Sequence, residues 1–311
     1  MGGEWRNVFH RFDGFIAALH PTHDDLFELL AAAKEAAAIL RAVYAAGDEL
    51  ELHVIGSVAK GTAVHRLAAI DVLAIVQPDP KPAALVAALA ARFGEVRGTA
   101  AGAISIAAKT EPSHDVRVDI YPAALGARGL APFGHSASTR FDPDAESQAL
   151  ANANLMSGQK ACHLIMMLKV WRDAQGLALP SLVLDALVEE FVRIWLYNRR
   201  SFLFYDWMIR DFFFWLCYQA GRDVALFRSG ERLPIGRDWV DAAETAYATA
   251  VEACRLERLS ADQAARDRWG TIFGDRFLAV GDVEETPWAG SALSPSRPGL
   301  PPPAWAVPQR L

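Results

Sequence analysis

The sequence predicts an α+β protein in which a sheet flanked by helices is followed by a second, helical lobe. Three observations carry that prediction. Short aliphatic and β-branched runs alternate with helical patterns in the first half of the chain. From about Asn152 onward apolar residues recur at helical spacing, and strand-like alternation is absent. At 311 residues the chain is long enough for two cores.

The elements follow in order. Thr22, with Asp24 and Asp25 behind it, starts a helix: the hydroxyl caps free amides and the acids complement the positive end of the dipole. The alanine-rich run continues it to about Ala46, and Gly47 ends it. Leu50–Ile55 reads as a strand that breaks at Gly56-Ser57, before a short helix. Ile70–Val76 is a second strand, stopped at Pro78, and Pro82–Phe93 is a helix with proline at its start. Gly102–Ala108 and Val116–Tyr121 are further strands. Leu155–Arg172, Leu182–Tyr197, Asp241–Leu256 and Ser260–Phe273 are helices. Phe202–Tyr218 is the most membrane-like stretch, but Asp206, Arg210 and Asp211 interrupt it well before the ~20 apolar residues of a span, so a buried helix is expected. The boundaries fall at residues 1–150 for the sheet-bearing lobe, 151–280 for the helical lobe and 281–311 for an extended tail. Six prolines between Ser294 and Leu311 mark that tail.

Composition excludes more than it selects. With 52% apolar and 22% charged residues the balance is that of an ordinary globular chain. A net charge of −6 is not the electrostatic footprint of a long-nucleic-acid binder, although it leaves room for a local basic groove. Cys162, Cys217 and Cys254 are odd in number and far apart, so neither a disulfide framework nor a metal pair is expected, and a reducing, cytoplasmic setting fits. Met1-Gly2-Gly3-Glu4-Trp5-Arg6 carries no apolar stretch of the kind that opens a secretory signal.

Three features in order carry the chemistry. Gly56-Ser57-Val58-Ala59-Lys60-Gly61-Thr62 follows a strand; glycine permits close backbone approach, and amides with a serine hydroxyl can hold phosphate oxygens. Ala69-Ile70-Asp71 heads the next strand, where positions 69 and 71 share a face. Two carboxylates there would hold Mg²⁺ jointly, since that ion takes hard oxygen ligands, but position 69 is alanine. His114-Asp115-Val116-Arg117-Val118-Asp119-Ile120-Tyr121-Pro122 supplies Asp115 and Asp119 at matching parity. Any one of these alone is compatible with a purely structural role.

Together, Gly56-Ser57, then Ile70-Asp71-Val72 and Val118-Asp119-Ile120-Tyr121-Pro122, resemble the DNA polymerase beta-like nucleotidyltransferase pattern of Gly-Ser, Asp-x-Asp and a third Asp. The string Gly56 to Thr62 is similar to the bacterial cGAS/DncV-like nucleotidyltransferases, or CD-NTases. So are His163-Leu164-Ile165-Met166-Met167-Leu168-Lys169-Val170-Trp171, the segment Leu179-Pro180-Ser181-Leu182, and Trp269-Gly270-Thr271-Ile272-Phe273. The resemblance spans roughly residues 10–280 and involves both halves.

The resemblance implies roles position by position. Gly56 and Ser57 would hold nucleotide phosphates, Asp71 and Asp119 would bind two Mg²⁺ or Mn²⁺ ions, and Lys169 and Ser181 would reach the triphosphate from the helical lobe. Ala69 occupies the place of the first metal-binding Asp. Asp119 is preferred to Asp115 because it sits in the matching Val-Asp-x-x-Pro frame. Lys60 is evenly balanced between a role and a solvent-facing lysine, while His65, His114 and His163 are read as packing or surface residues.

The implied activity is synthesis of a cyclic di- or trinucleotide messenger from NTPs in CBASS anti-phage defence. An accessory protein acting on the C-terminal residues Ala304–Leu311 is a further implied partner. With alanine at 69, a loss of even ~4 kcal/mol of metal assistance slows turnover about a thousandfold at ~1.4 kcal/mol per tenfold. Retention of Gly56, Ser57, Asp71, Asp119, Lys169 and Ser181 favours a deliberate replacement of aspartate over a long-standing natural loss. The alternatives are an RNA-tailing nucleotidyltransferase on the same core and a non-catalytic nucleotide-binding scaffold.

Overall fold

A computed structural model describes residues 4–44, 49–66, 69–77, 82–98, 103–110, 114–126, 129–132, 142–198, 204–226 and 232–280. The chain divides into two units, one formed by Pro21–Gln148 and the other by residues 4–20, 149–226 and 232–280.

The first unit is built on a mixed sheet. Strands β1 (Glu49–Ile55), β2 (Ile70–Gln77), β3 (Val96–Gly98), β4 (Ile104–Thr110) and β5 (His114–Gly126) take the order β1-β2-β5-β4-β3, and β6 (Gly129–Pro132) pairs with the far end of β5. All pairings are antiparallel except the central one, β2 with β5. Alternation sorts the residues by face. Val72, Ala74, Val76, Val116, Val118, Ile120, Ile104 and Ile106 join one apolar layer with helix α2 (His23–Val43) and helix α4 (Pro82–Phe93). The small side chains of Ala32, Ala33, Ala36 and Ala37 let α2 lie close on that layer. The helix begins as expected: Thr22 accepts from the Asp25 amide and the Asp25 carboxylate accepts from the Thr22 amide, a reciprocal cap. On the opposite face a much smaller cluster gathers Ile55, Leu73 and Ala123. Helix α3 (Gly56–Lys60) follows β1 directly.

The second unit is mostly helical. It contains α1 (Glu4–Leu19), the end of α5 (Pro143–Met156), α6 (Lys160–Ala174), α7 (Ser181–Ile194), α8 (Tyr205–Cys217), α9 (Val240–Arg258), α10 (Asp262–Phe273) and α11 (Asp275–Leu278). Its interior is aromatic. Phe12 meets Trp269 with ring centroids 5.1 Å apart, Phe15 meets Phe277 at 4.8 Å, and Trp171 meets Phe213 at 4.9 Å. Such edge-to-face pairs add directional preference to the area they bury.

Several expectations need correction. The sequence pattern gives residues 4–19 no element and assigns them to the sheet-bearing lobe; α1 instead packs its Phe12 and Phe15 rings among the aromatics of α10 and α11. The single helix expected over Leu155–Arg172 is two, because Gly158 and Gln159 both take positive φ and the helix restarts at Lys160. Helix α5 begins at Pro143, ahead of the expected change at Asn152. The helical half also holds a hairpin, β7 (Asp223–Ala225) with β8 (Arg232–Pro234), too short for alternation to register in sequence. Phe202–Tyr218 does contain a core helix, α8, with Phe212, Phe213 and Leu216 fully buried. Among the described residues no helix is long and apolar enough to cross a membrane. The tail expected over 281–311 lies outside the described residues.

Candidate active site

The face of the sheet opposite α2 and α4 carries the candidate residues. In the parallel pairing of β2 with β5, Asp71 stands directly beside Asp119. Neighbouring strands lie about 4.8 Å apart, so the two carboxylates rise from adjacent points on one surface. Asp119 is 7% exposed, with Asp71 half-buried beside it. Tyr121, two residues beyond Asp119, donates its hydroxyl to Asp71 Oδ1 at 3.4 Å. Burial and the charges of Asp71 and Asp119 together push the Tyr121 phenol far above its ordinary pKa, so it stays protonated as a donor.

The Gly-Ser turn lies against Asp71. Gly56 has φ +68°, which favours glycine, and a Cβ there would lie 2.8 Å from Asp71 Cγ and nearer still to Oδ2. Glycine at 56 is therefore required twice, by its dihedral and by the carboxylate pressed against it. Ser57 sits half-buried in the first turn of α3.

No protein-family model and no curated protein matches the sequence. Among solved structures the chain is similar to the Vibrio cholerae DncV cyclic AMP-GMP synthase bound to a linear intermediate, with TM-score 0.61 and 16% identity over 90% of this chain and 88% of that one. It is similar to E. coli MS115-1 CdnC with ATP, at 0.55 and 14% over 87% and 98%. A third is the STING-associated CdnE c-di-GMP synthase of Capnocytophaga granulosa, at 0.52 and 15% over 78% and 80%. The chain has the cGAS/DncV-like nucleotidyltransferase fold.

Within that fold, the fit of a divalent cation is tested by the donor atoms present. Asp119 Oδ1 is buried with no hydrogen-bond partner, an arrangement disfavoured unless something else neutralises it. With Asp71 in register beside it, two hard oxygen donors face the same space, which fits one such ion. A second ion is less well served. Ala69, which precedes β2 and shares the parity of Asp71, is 8% exposed and brings no donor. Accordingly, no cluster of three or more His, Cys, Asp or Glu with metal-binding geometry occurs among the described residues.

The helical unit holds the other two candidates of the nucleotidyltransferase pattern. Lys169 is buried on α6. It is near enough to Cys162 to oppose the effects of burial and Asp185, which push that thiol up to about 12. Ser181 is the first residue of α7, and its Oγ accepts from Arg172 at 2.9 Å while Arg172 also donates to the Leu179 carbonyl at 3.1 Å. The hydroxyl proton of Ser181 remains to be donated elsewhere.

Three other side chains refine the sequence reading. Lys60 is no solvent-facing lysine: its side chain is 6% exposed, and Nζ lies 3.3 Å from Glu146 Oε2 on α5. His65 Nδ1 is 2.6 Å from Asp25 Oδ2, beside the cap of α2. His163 bonds the Tyr205 hydroxyl and is buried so completely that its pKa falls to about 3. It is a core residue. The side chains of His114 and Asp115 lie outside the described set. Two residues with geometry at the site have no assigned role in the sequence reading. Tyr121 and Arg117, whose Nε donates to Asp119 Oδ2 at 3.2 Å, share the parity of Asp119 on β5. That parity is the available signal.

Proposed function

We propose that this chain is a nucleotidyltransferase of the CD-NTase kind, built to join NTPs into a cyclic oligonucleotide that acts as a bacterial anti-phage messenger. The observation that carries the reading is the in-register pair Asp71 and Asp119, with Asp71 pressed against Gly56. The solved structures of similar fold include a cyclic AMP-GMP synthase and a c-di-GMP synthase, which supports this substrate class over RNA tailing.

In this reading Asp71 and Asp119 would hold Mg²⁺ or Mn²⁺, which would supply Lewis-acid activation of the attacking hydroxyl and charge neutralisation for the leaving pyrophosphate. Gly56 lets the backbone come close to the nucleotide, and Ser57 gives a hydroxyl to its phosphates. Tyr121 helps fix Asp71 by donating its hydroxyl to Oδ1, while Oδ2 lies against Gly56. Lys169 and Ser181, on the helical unit, are the residues to which the nucleotidyltransferase resemblance assigns triphosphate contact. Ala69 leaves the site one carboxylate short, so the chain as it stands binds nucleotide with little turnover. That same alanine favours a second reading, in which the chain is a nucleotide-binding scaffold.

One experiment separates the two. Ala69→Asp protein is incubated with Mg²⁺ and all four NTPs, pyrophosphate is followed, and products are identified by mass spectrometry. The enzyme reading expects a cyclic product absent with the parent chain. Tight ATP binding without pyrophosphate release supports the scaffold. Products appearing only when tRNA is added transfer the assignment to RNA tailing.

A further inference from the structure

We propose that Arg117 is a displaceable counter-ion of the site, neutralising Asp119 before a divalent cation binds and turning afterwards to the phosphates of the nucleotide. This deepens the function proposed above and rests on it.

The argument begins with how Asp119 is divided. Its Oδ1 is buried and without a hydrogen-bond partner, while Oδ2 accepts from Arg117 Nε at 3.2 Å. An ionised carboxylate that is largely out of water needs a compensating charge, and Arg117 supplies it from the solvent side. The Arg117 side chain is 63% exposed. An ion pair with one partner in water contributes little and breaks readily, so this cation is a weak hold on a strongly placed anion.

The surroundings leave the guanidinium room to turn. The register sets Ala107 of β4 opposite Arg117, a small and exposed neighbour. Arg117, Asp119 and Tyr121 alternate onto the same face as Asp71, so a nucleotide carried at the two carboxylates brings its phosphates within reach of the guanidinium. The chemistry matches: a planar, permanently charged fork pairs with two phosphate oxygens at once, which one carboxylate oxygen does not satisfy. Charge favours the exchange as well. Asp71, Asp119 and Arg117 sum to one negative charge, and adding a dication turns the face positive, toward a polyphosphate. Arg117 is thus a positioning residue for the carboxylate and a contact residue for the substrate.

The two halves predict effects of opposite sign, which misfolding cannot produce. Full-chain protein is titrated with Mn²⁺ alone, followed by electron paramagnetic resonance, and then with a non-hydrolysable ATP analogue at saturating Mn²⁺ by calorimetry. Arg117→Gln is expected to bind Mn²⁺ roughly threefold to tenfold more tightly, because a competing cation is gone. The same variant is expected to bind the nucleotide roughly tenfold more weakly. Arg117→Lys restores the Mn²⁺ affinity of the parent and recovers nucleotide binding only in part. If Mn²⁺ affinity in Arg117→Gln is unchanged or lower, or nucleotide affinity is unaffected, the exchange is wrong while the proposed function stands. If the parent binds no Mn²⁺, or binds it equally well as Asp119→Asn, both are overturned.

Discussion

Replacing Gly56 by alanine tests how the phosphate turn and the acid beneath it are joined. The substitution has two separable consequences. First, the residue sits at φ +68°, and a left-handed conformation costs an alanine about 1–2 kcal/mol. Second, the new Cβ would lie 2.8 Å from Asp71 Cγ, so the carboxylate must be driven out of place, an overpacking cost of about 1–3 kcal/mol. Gly94 is the matched control. It has φ +80° and open space for 4 Å around the point where a Cβ would stand, so Gly94→Ala incurs only the first cost. At on the order of 4 °C per kcal/mol, Gly94→Ala lowers the melting temperature by about 4–8 °C and Gly56→Ala by about 8–20 °C. Differential scanning calorimetry of the full chain measures both. Asp71→Ala removes Cγ and Oδ2, the nearest obstacles, and leaves Cβ at 3.1 Å. In the Gly56→Ala/Asp71→Ala double variant the second cost is therefore mostly relieved, giving a coupling of about 1–3 kcal/mol. Strict additivity, or a Gly56→Ala penalty no larger than that of Gly94→Ala, would refute the contact between turn and acid.

Other outcomes follow from the same structure. Thr22→Ala removes half of the reciprocal cap on α2 and should destabilise the sheet-bearing unit by about 1 kcal/mol in denaturant titrations. Lys60→Met leaves the buried Glu146 carboxylate without its 3.3 Å ammonium and should cost about 3 kcal/mol, most of it recovered when Glu146→Leu is added. Asp206 is held up to about 7, chiefly by burial and then by Glu257, against the pull of the Trp207 amide and Arg210. A carboxyl raised on folding binds more protons in the native state, so its contribution to stability is full below its ordinary value near 4 and disappears as pH rises through about 7. Relative to Asp206→Asn, the parent should lose on the order of 2 kcal/mol between pH 5 and pH 7.5, read from urea midpoints at each pH; a pH-independent difference would exclude that assignment.

The sheet is legible where alternation runs long. Ile70–Val76 and Val116–Tyr121 are placed to within a few residues because their even positions are aliphatic and their odd positions carry Asp71, Asp119 and Tyr121. The helix start at Thr22 is legible as well, through a short-range capping preference with little competition, while its reciprocal bond with Asp25 emerges only in the structure. The β7–β8 hairpin is not, since three residues per strand establish no period. Helix α1 escapes the sequence reading although Val8, Phe12, Phe15, Ile16 and Leu19 do follow helical spacing; Gly14 within it and the absence of a cap signal obscure the pattern. The break at Gly158-Gln159 depends on Gln159 adopting φ +68°, which sequence propensity does not foresee. At the site, it is the resemblance to the nucleotidyltransferase pattern, and not spacing alone, that singles out Asp71 and Asp119. Their exact pairing, the pressure of Asp71 on Gly56 and the Arg117 contact depend on which strands become neighbours, and that is decided by non-local pairing.

Because even positions of β2 and β5 feed the aliphatic layer under α2 while odd positions carry the acids, the same alternation encodes the interior and the chemistry. A one-residue deletion anywhere between Val116 and Asp119 would send a carboxylate into the space now filled by Val118 and expose an aliphatic side chain on the working surface. Length variation among descendants of this chain is thereby confined to the connections, and the two central strands can drift in side chain but not in count.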